Sequence, residues 1–323
     1  MLPGRPSHVK VVVARTLPAA GLAKLEARFD VRCGGLPFDR AWLLEHVAGA
    51  SAIVTDPTVA VDGELLERAG DSLRVVSNFA AGFDNIDADA VREHGLRATN
   101  TPDVLTNATA ELAVALMLAA GRRIVETDHV VRRGEWAGWK PEQYLGRELS
   151  GATVGLVGFG RIGQRVAELL RGFDCEVVFT ARRPMQEPAS RHSATQMQLD
   201  ELLAVSDYVS LHVALTPETR HLIDAAALAR CKPGAILVNT CRGPVVDSAA
   251  LVEALRSGPL AGAGLDVYED EPAVPQELVA LANTVLVPHI GSATRTTRDA
   301  MAELCADNVI AVLDGGEPLT PIV

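Results

Sequence analysis

The chain has 323 residues, of which 48% are hydrophobic and 22% are charged. This length suggests about two domains that each bury their own core, and this composition excludes a disordered chain. The formal net charge of −11 argues against a nucleic-acid partner, because such binding depends on clustered Lys and Arg that neutralise phosphates.

The first hundred residues alternate apolar runs with segments that suit helices. Strands are predicted at residues 9–14, 52–55 and 74–78, and a helix at residues 17–29. This alternation is typical of a parallel sheet covered by helices. It contains no glycine pattern of the phosphate-binding kind found later in the chain, so we expect one α/β domain without a nucleotide motif.

A long apolar helix is predicted at residues 108–125, shortly after the segment 100–103. Its apolar residues cover most of its faces, so it should be buried between layers or domains. We expect this helix to carry the chain from the first domain into a second one.

The segment TVGLVGFGRIG, residues 153–163, joins an apolar run to glycines spaced G-x-G-x-x-G and then to a helix. This order lets backbone N–H groups and the helix dipole hold a dinucleotide pyrophosphate. Gly158 permits the tight turn, Gly160 leaves room for the phosphates, and Gly163 lets the helix pack close to the strand. With Arg161 and Ile162 at the start of the helix, these glycines form the predicted pyrophosphate site.

The glycine spacing alone would also suit a plain strand-to-helix turn. An apolar run at residues 176–180 favours the nucleotide interpretation, because it follows at the distance of the next parallel strand. This run leads into Arg182 and Arg183 and not into the acidic residue that binds the ribose of NAD. Guanidinium groups suit a 2′-phosphate, so we expect NADPH to be preferred, with NADH possible. Alternatively, both arginines are solvated loop charges.

Four further strands are predicted, at residues 208–213, 235–239, 263–266 and 285–287. They would extend a doubly wound sheet, whereas a last helix at residues 296–313 would return to the first domain. We therefore predict an α/β protein of two doubly wound parallel-sheet domains with a cleft between them. The dinucleotide-binding (Rossmann) domain, residues 101–290, would be inserted into a substrate-binding domain of residues 1–100 and 291–323.

The sequence offers no sign of a membrane span, a secretory signal or a metal site. No apolar run approaches the ~18 residues that a spanning helix needs, and residues 1–10 lack the apolar core of a signal peptide. The five cysteines lack C-x-x-C spacing, and the eight histidines form no ligand pair of the H-E-x-x-H kind. We expect a cytoplasmic protein with reduced thiols.

Three side chains suited to acid–base chemistry or anion binding follow strands of the second predicted sheet, namely Arg242, Glu271 and His289. Ligands of open parallel sheets bind at the carboxyl ends of the strands, where these residues would converge. A guanidinium can clamp a carboxylate, and a histidine oriented by a carboxylate can transfer a proton near neutral pH. Reducing a 2-keto acid requires both. Taken singly, each has a plainer explanation as a surface ion pair, a loop charge or a cap.

The motifs, in this order, resemble those of the D-isomer-specific 2-hydroxyacid dehydrogenase family, and within it the glyoxylate/hydroxypyruvate reductases most closely. They are SNFAAGFDNID at 77–87, NTPDVLT at 100–106, the glycine motif, TCRG at 240–243, GLDVYEDEP at 264–272 and PHIGSAT at 288–294. The resemblance implies NAD(P)H-dependent reduction of glyoxylate or hydroxypyruvate to the D-2-hydroxy acid. Specificity for lactate or 3-phosphoglycerate is an alternative, and a nucleotide-sensing corepressor is a more distant one.

The resemblance also assigns roles to residues of the substrate site. It implies that Arg242 binds the substrate carboxylate and carbonyl oxygen, that His289 is the acid/base, and that Glu271 orients His289. The backbone N–H groups of Ala81 and Gly82 would also hold the carboxylate. Further residues implied by the resemblance are Ser292 beside the substrate, Asp266 near the nicotinamide, and Thr216 among the cofactor contacts.

The segment WAGWKP at residues 136–141 also resembles the reductase subgroup. In that subgroup the second tryptophan, Trp139 here, reaches the active site of a neighbouring subunit and helps to select the substrate. The plainer alternative is an aromatic anchor in a dimer interface. A homodimer is expected in either case, and Thr55, Asp56 and Trp139 are expected to form the pocket wall.

Overall fold

The computed structural model describes residues 9–323. Residues 1–8 lie outside the described residues. They belong to the predicted substrate domain and to the N-terminal segment that lacks the apolar core of a signal peptide. The chain divides into two compact units, Met1–Leu105 with Ser292–Val323, and Thr106–Gly291. The domain limits predicted at residues 100/101 and 290/291 remain a prediction, since compact packing by itself defines no functional domain.

The first unit is built on a parallel sheet of five strands. The strands are β1 Lys10–Val13, β2 Asp30–Cys33, β3 Ala52–Thr55, β4 Val75–Asn78 and β5 Arg97–Thr99. The helices are α1 Ala19–Glu26, α2 Arg40–His46, α3 Gly63–Ala69, α4 Ala88–Glu93 and, at the end of the chain, α13 Arg295–Leu313. The strand order β2-β1-β3-β4-β5 is that of a doubly wound sheet.

Buried apolar side chains hold the helices of the first unit on its sheet. Leu43 of α2, Leu65 of α3 and Val91 of α4 share one core cluster with strand residues. Helices α1 and α13 pack so closely that an added Cβ on Gly21 would lie 2.2 Å from the backbone oxygen of Ala302. Helix α13 also lies against β4, so the last helix belongs to the packing of this unit.

The second unit is built on a parallel sheet of seven strands. The strands are β6 Thr153–Val157, β7 Glu176–Thr180, β8 Ala194–Gln196, β9 Tyr208–Leu211, β10 Ala235–Asn239, β11 Leu260–Leu265 and β12 Thr284–Leu286. The helices are α5 Thr106–Gly121, α6 Ile124–Arg132, α7 Arg161–Leu170, α8 Gln186–His192, α9 Leu199–Val205, α10 Ala225–Ala229, α11 Ser248–Arg256 and α12 Gln276–Val279. The order β12-β11-β10-β9-β6-β7-β8 contains the 3-2-1-4-5-6 arrangement of a Rossmann sheet.

Two apolar clusters cover this second sheet. Leu156 of β6 belongs to the cluster that contains Met117 of α5, whereas its neighbour Val157 belongs to the cluster that contains Leu251 of α11. Successive strand residues point to opposite faces, so the two clusters lie on opposite faces of the sheet. The predicted fold class of two doubly wound parallel-sheet α/β domains, one with a Rossmann sheet, is confirmed.

The structure departs from the predicted elements at several places. The helix predicted at 108–125 is two helices, α5 and α6, separated at Arg123, whose φ of 54° is left-handed. Strand β2 was not predicted because most of its side chains are exposed and it therefore has no apolar run. Strands β5 and β8, which were also not predicted, have three residues each.

Residues 9–323 offer no candidate for a membrane-spanning helix or a metal site. Among the described helices, none combines the length and the apolar character needed to cross a membrane. In the same part of the chain, no group of three or more His, Cys, Asp or Glu side chains is arranged to hold a metal ion.

Candidate active site

The glycine motif forms the turn between β6 and α7. Gly158 has a φ of 98°, and an added Cβ there would lie 2.6 Å from the backbone oxygen of His212. A Cβ on Gly163 would lie 2.4 Å from the backbone oxygen of Gly158. A Cβ on Gly160 would meet nothing within 4 Å, so this position borders open space. Two glycines therefore allow close packing, and the middle one leaves room for a ligand.

This open space lies at the N-terminus of α7. Gly160 is the N-cap, no side chain caps this terminus, and no acidic residue stands in its first turn. Arg161 and Ile162 occupy the first two helical positions. The first N–H groups of a helix have no partner within the helix, and the helix dipole adds positive potential there. The turn therefore fits the pyrophosphate of a dinucleotide.

Arg182 and Arg183 lie exposed on the loop after β7, the strand paired with β6. Gln196 of β8 holds this loop, because its Nε2 donates to the carbonyl oxygens of Ala181 (3.3 Å) and Arg183 (3.0 Å). The backbone N–H of Met185 donates to Oε1 of the same side chain at 3.0 Å. The two guanidinium groups thus extend from a braced loop beside the glycine turn.

Thr216, the cofactor residue predicted on the loop after β9, lies near this arginine loop. Hydrogen bonds from the Thr216 hydroxyl and from the backbone N–H of Glu218 lower the pKa of the Glu218 carboxyl, and the Arg182 charge adds to this effect. Thr216 and Arg182 therefore both act on one exposed carboxylate.

Arg242 lies on the loop that follows β10, at the carboxyl end of that strand. Its backbone oxygen accepts a hydrogen bond from Asn239 Nδ2 (2.9 Å), and its Nη1 donates to the carbonyl oxygen of Cys241 (2.8 Å). A Cβ on Gly243 would lie 1.9 Å from the backbone C and O of Tyr268. The missing side chain lets the Arg242 loop touch the backbone of the segment that leads to Glu271.

Glu271 and His289 form a hydrogen-bonded pair. The distance from Glu271 Oε2 to His289 Nδ1 is 2.8 Å, and Glu271 Oε1 accepts the backbone N–H of Tyr268 at 3.0 Å. With both oxygens engaged, the carboxylate fixes the plane of the imidazole. The His289 side chain is 36% exposed, so Nε2, the ring nitrogen that does not bind Glu271, is available for proton transfer.

The turn that carries His289 is built on Asp266, which is 1% exposed. The Asp266 carboxylate accepts the N–H groups of Ile290 (2.6 Å) and Gly291 (2.8 Å), and its backbone oxygen accepts the N–H of His289 (2.9 Å). This scaffold holds His289 at a φ of 52°, in the left-handed region. Burial raises the pKa of Asp266, although its N–H partners favour the ionised form. Its contact with a nicotinamide remains a prediction.

Arg242 acts on the same carboxylate as His289. Burial by itself would raise the pKa of Glu271, but the hydrogen bonds from His289 and Tyr268 and the charges of His289 and Arg242 hold that pKa below its ordinary value. Glu271 is therefore ionised at neutral pH. The structure pairs two of the three predicted catalytic side chains, Glu271 and His289, and the charge of the third, Arg242, acts on the same carboxylate. A guanidinium can bind an anion, and a carboxylate–imidazole pair can transfer a proton.

The predicted substrate residues of the first unit lie on two segments. Ala81 and Gly82 are half-buried on the loop after β4, and their carbonyl oxygens accept hydrogen bonds from the side chains of Asn100 (2.6 Å) and Asn78 (3.0 Å). Ser292 begins the second stretch of this unit.

Two predicted pocket residues have surroundings that the sequence did not indicate. Trp139 is 82% exposed on the segment between α6 and β6. Thr55 is 2% exposed and donates to Asn78 Oδ1 at 3.1 Å. This corrects the expectation that Thr55 forms a pocket wall, because its hydroxyl belongs to the interior of the unit. Asp56 pairs with Arg15 at 3.3 Å.

Sequence reasoning missed the residues that hold the site in place. Gln196, Asn239 and Gly243 support the loops that carry the predicted arginines. A glycine beside a charged residue on a loop can mark a close backbone approach, so Gly243 could have been found. Nothing in the sequence indicates which carbonyl groups the Asn239 and Gln196 amides bind.

Comparisons with known proteins identify the family of the chain. A family profile described as "D-isomer specific 2-hydroxyacid dehydrogenase, NAD binding domain" matches residues 114–291. The chain is 47% identical over 315 residues to a glyoxylate reductase of Thermococcus litoralis. The aligned region covers 96% of this chain and 95% of that protein.

Solved structures extend the similarity to three dimensions. A crystal structure of a Thermus thermophilus protein matches with a TM-score of 0.92 and 47% identity, covering 98% of this chain and 100% of that one. The NADPH-dependent glyoxylate/hydroxypyruvate reductase of Sinorhizobium meliloti, solved with NADP and malonate, matches with a TM-score of 0.88 and 34% identity. That match covers 98% of this chain and 97% of the other.

These matches span nearly the whole chain and not only the glycine motif. Identity of 47% over 96% of the chain is far above what a shared fold alone requires. The resemblance inferred from the motifs is thereby confirmed. The chain belongs to the family of D-isomer specific 2-hydroxyacid dehydrogenases.

Proposed function

We propose that this protein reduces glyoxylate to glycolate with a reduced nicotinamide dinucleotide. The observation that carries the proposal is the 2.8 Å pair of Glu271 and His289, on whose carboxylate Arg242 also acts. This group lies in the unit whose glycine turn fits a pyrophosphate. Relatives named glyoxylate reductase, 47% and 46% identical to this chain, support the choice of substrate.

Each side chain of the group has a distinct part in the proposed reaction. A bound reduced nicotinamide supplies the hydride. Arg242 holds the substrate carboxylate and polarises the keto oxygen. His289 donates a proton from Nε2 to that oxygen as negative charge develops on it, since Nδ1 is bound to Glu271. Ionised Glu271 stabilises the protonated imidazole before the transfer and fixes its orientation.

We also propose substrate-binding residues in the first unit. We assign the backbone N–H groups of Ala81 and Gly82 to the substrate carboxylate and place Ser292 beside the substrate. The support is the likeness of the segments 77–87 and 288–294 to the family motifs. Hydroxypyruvate, which carries the same 2-keto acid group, is the proposed second substrate.

Steady-state oxidation of NADPH tests the proposed activity. Glyoxylate, hydroxypyruvate, pyruvate and 3-phosphohydroxypyruvate are compared at the same enzyme concentration. We expect the highest kcat/KM with glyoxylate and measurable turnover of hydroxypyruvate. Absence of glyoxylate turnover would contradict the proposal. A higher kcat/KM with pyruvate or the phosphorylated substrate would favour the lactate or phosphoglycerate alternative.

We infer that NADPH is the preferred cofactor. Arg182 and Arg183 are exposed on the braced loop after β7, and residues 180–184 include no acidic side chain that would repel a 2′-phosphate. The double variant Arg182→Ala/Arg183→Ala should lower kcat/KM for NADPH about tenfold or more, because hydrogen bonds between charged groups are lost. Its kcat/KM for NADH should be unchanged.

Arg191→Ala is the matched control for this cofactor experiment. Arg191 is exposed on α8, where it pairs with Glu187 at 2.5 Å. It is not among the predicted cofactor residues, so this variant removes an exposed arginine from outside the predicted cofactor site. The control should retain the NADPH preference of the wild type. Equal or better efficiency of the wild type with NADH would overturn the inference.

We further propose that the protein forms a homodimer in which Trp139 contributes to the substrate site of the other subunit. The support is the exposure of two tryptophans on one segment, 58% for Trp136 and 82% for Trp139. Light scattering should give twice the 34.2 kDa of one chain. An active monomer would contradict the shared site.

A further inference from the structure

Segment 100–101 binds two successive peptide groups of the loop after β4. The backbone N–H of Thr101 donates to the carbonyl oxygen of Ala80 at 2.8 Å, and Asn100 Nδ2 donates to that of Ala81 at 2.6 Å. In a trans peptide the N–H points opposite to the C=O. The N–H groups of Ala81 and Gly82 therefore both face away from residues 100–101.

A second amide holds the next peptide group of the loop. Asn78, at the end of β4, is fully buried, and its Nδ2 donates to the carbonyl oxygen of Gly82 (3.0 Å) and to Asn85 Oδ1 (3.1 Å). Its Oδ1 accepts the hydroxyl of Thr55 at 3.1 Å. A buried chain of polar side chains thus sets the position of the loop from the interior of the unit.

The two outward N–H groups have no protein acceptor within residues 9–323. Both residues are half-buried, and a partly desolvated N–H group without an acceptor costs free energy unless a ligand or water binds it. Adjacent N–H groups that face the same way form a site for an anion. A carboxylate, with its two oxygens, matches two such donors.

We propose that Asn100 and Asn78 are positioning residues for the substrate carboxylate. Asn100 holds the 81–82 peptide so that the Gly82 N–H is oriented before the substrate arrives, and Asn78 anchors the following peptide. Without the Asn100 amide, the 81–82 peptide is free to rotate and binding must also order it. The inference rests on the proposed function, because it concerns the carboxylate of that substrate.

Asn100→Ala provides the test, with glyoxylate and NADPH as substrates. The KM for glyoxylate should rise about tenfold or more, since an oriented hydrogen bond to a charged group is lost. We expect kcat to change by less than about twofold, because the bond serves substrate and transition state alike. The KM for NADPH should not change. Asn78 is unsuited to this test because its amide has several buried partners.

Two further variants separate positioning from a general role in folding. Thr101→Val removes a buried hydroxyl that has no hydrogen-bond partner but keeps the backbone N–H that binds Ala80, so the KM for glyoxylate should equal that of the wild type. Asn100→Gln restores an amide donor on a longer side chain and should recover part of the substrate binding lost in Asn100→Ala.

The outcomes distinguish this inference from the proposed function. A wild type without glyoxylate turnover would overturn the proposed function. An active wild type whose KM for glyoxylate is unchanged in both Asn100 variants would overturn the inference alone. So would a joint loss of kcat, glyoxylate binding and NADPH binding in both variants, since that pattern indicates a structural role.

Discussion

Glu271 binds a different partner with each carboxylate oxygen, His289 Nδ1 and the Tyr268 N–H. Burial opposes its ionisation, but these partners and the Arg242 charge hold the pKa of Glu271 below its ordinary value. A carboxylate with a lowered pKa stabilises the fold above the pKa of the unfolded side chain, and this stabilisation is lost as pH falls through the folded pKa. The pair should therefore persist throughout the neutral range.

Glu271→Gln tests the role of this charge. The amide keeps the shape of the side chain but no longer stabilises the protonated imidazole, so kcat for glyoxylate reduction should fall at least about tenfold. The measurement is steady-state kinetics from pH 5 to 9. A profile that matches the wild type would contradict the assigned role.

Arg242, Glu271 and His289 could be predicted because each lies on the segment that follows a strand of a sheet whose carboxyl edge binds ligands. Their supporting contacts could not be predicted in the same way. The Asn239 amide binds the backbone of Arg242, and a sequence does not show which backbone group faces an amide. Thr55 illustrates the converse error, since it was expected in a pocket wall but is the buried last residue of β3, and its hydroxyl binds Asn78.

At the scale of elements, the alternation of strands and helices was predictable where strands are buried and apolar. The edge strands β2 and β8 were missed because one is mostly exposed and the other has three residues. The break between α5 and α6 depends on the left-handed backbone of Arg123, a residue type that gives no signal for it. Apolar composition indicated helix on both sides of the break.

The contact between the Arg242 loop and the segment after β11 provides a prediction at this scale. Gly243→Ala would place a Cβ 1.9 Å from the backbone of Tyr268 and force the two segments apart. We expect a loss of about 1–3 kcal/mol of folding free energy, the usual cost of overpacking, together with reduced kcat/KM. Chemical denaturation and steady-state kinetics measure the two effects.

Gly172→Ala serves as the comparison for that variant. An added Cβ on Gly172 would meet nothing within 4 Å, and its backbone is not in the left-handed region. Its stability and kcat/KM should match those of the wild type. Equal behaviour of the two alanine variants would show that the Gly243 contact does not position Arg242.

For the molecule as a whole, the sequence indicated two doubly wound sheets, and the structure contains both. The parallel pairing of the strands follows from the same alternation, since parallel strands require crossover connections. What sequence reasoning could not supply is the ionic contacts that join elements distant in the chain. Asp207, 7% exposed, accepts Lys232 Nζ at 2.8 Å and the Thr153 N–H at 3.0 Å and also pairs with Arg147.

The variant Asp207→Asn tests how the stability of the whole chain depends on pH. Burial opposes ionisation of Asp207, but Lys232, Thr153 and Arg147 lower its pKa below the ordinary value. The unfolding free energy of the wild type should exceed that of the variant by about 1–3 kcal/mol at pH 7, because the variant leaves Lys232 and Arg147 without an ionised partner. Since the folded pKa is lowered, this difference should shrink as pH falls below about 4. A difference in unfolding free energy that is independent of pH would refute this.

Proton transfer by His289 is the central claim, and the turnover of His289→Ala tests it most directly. NADPH oxidation is measured with saturating glyoxylate, and NADPH binding is measured separately by fluorescence. We predict that kcat falls about 10²- to 10⁴-fold, the contribution of general acid catalysis, while the Kd for NADPH stays at the wild-type value. Turnover near that of the wild type would contradict the account.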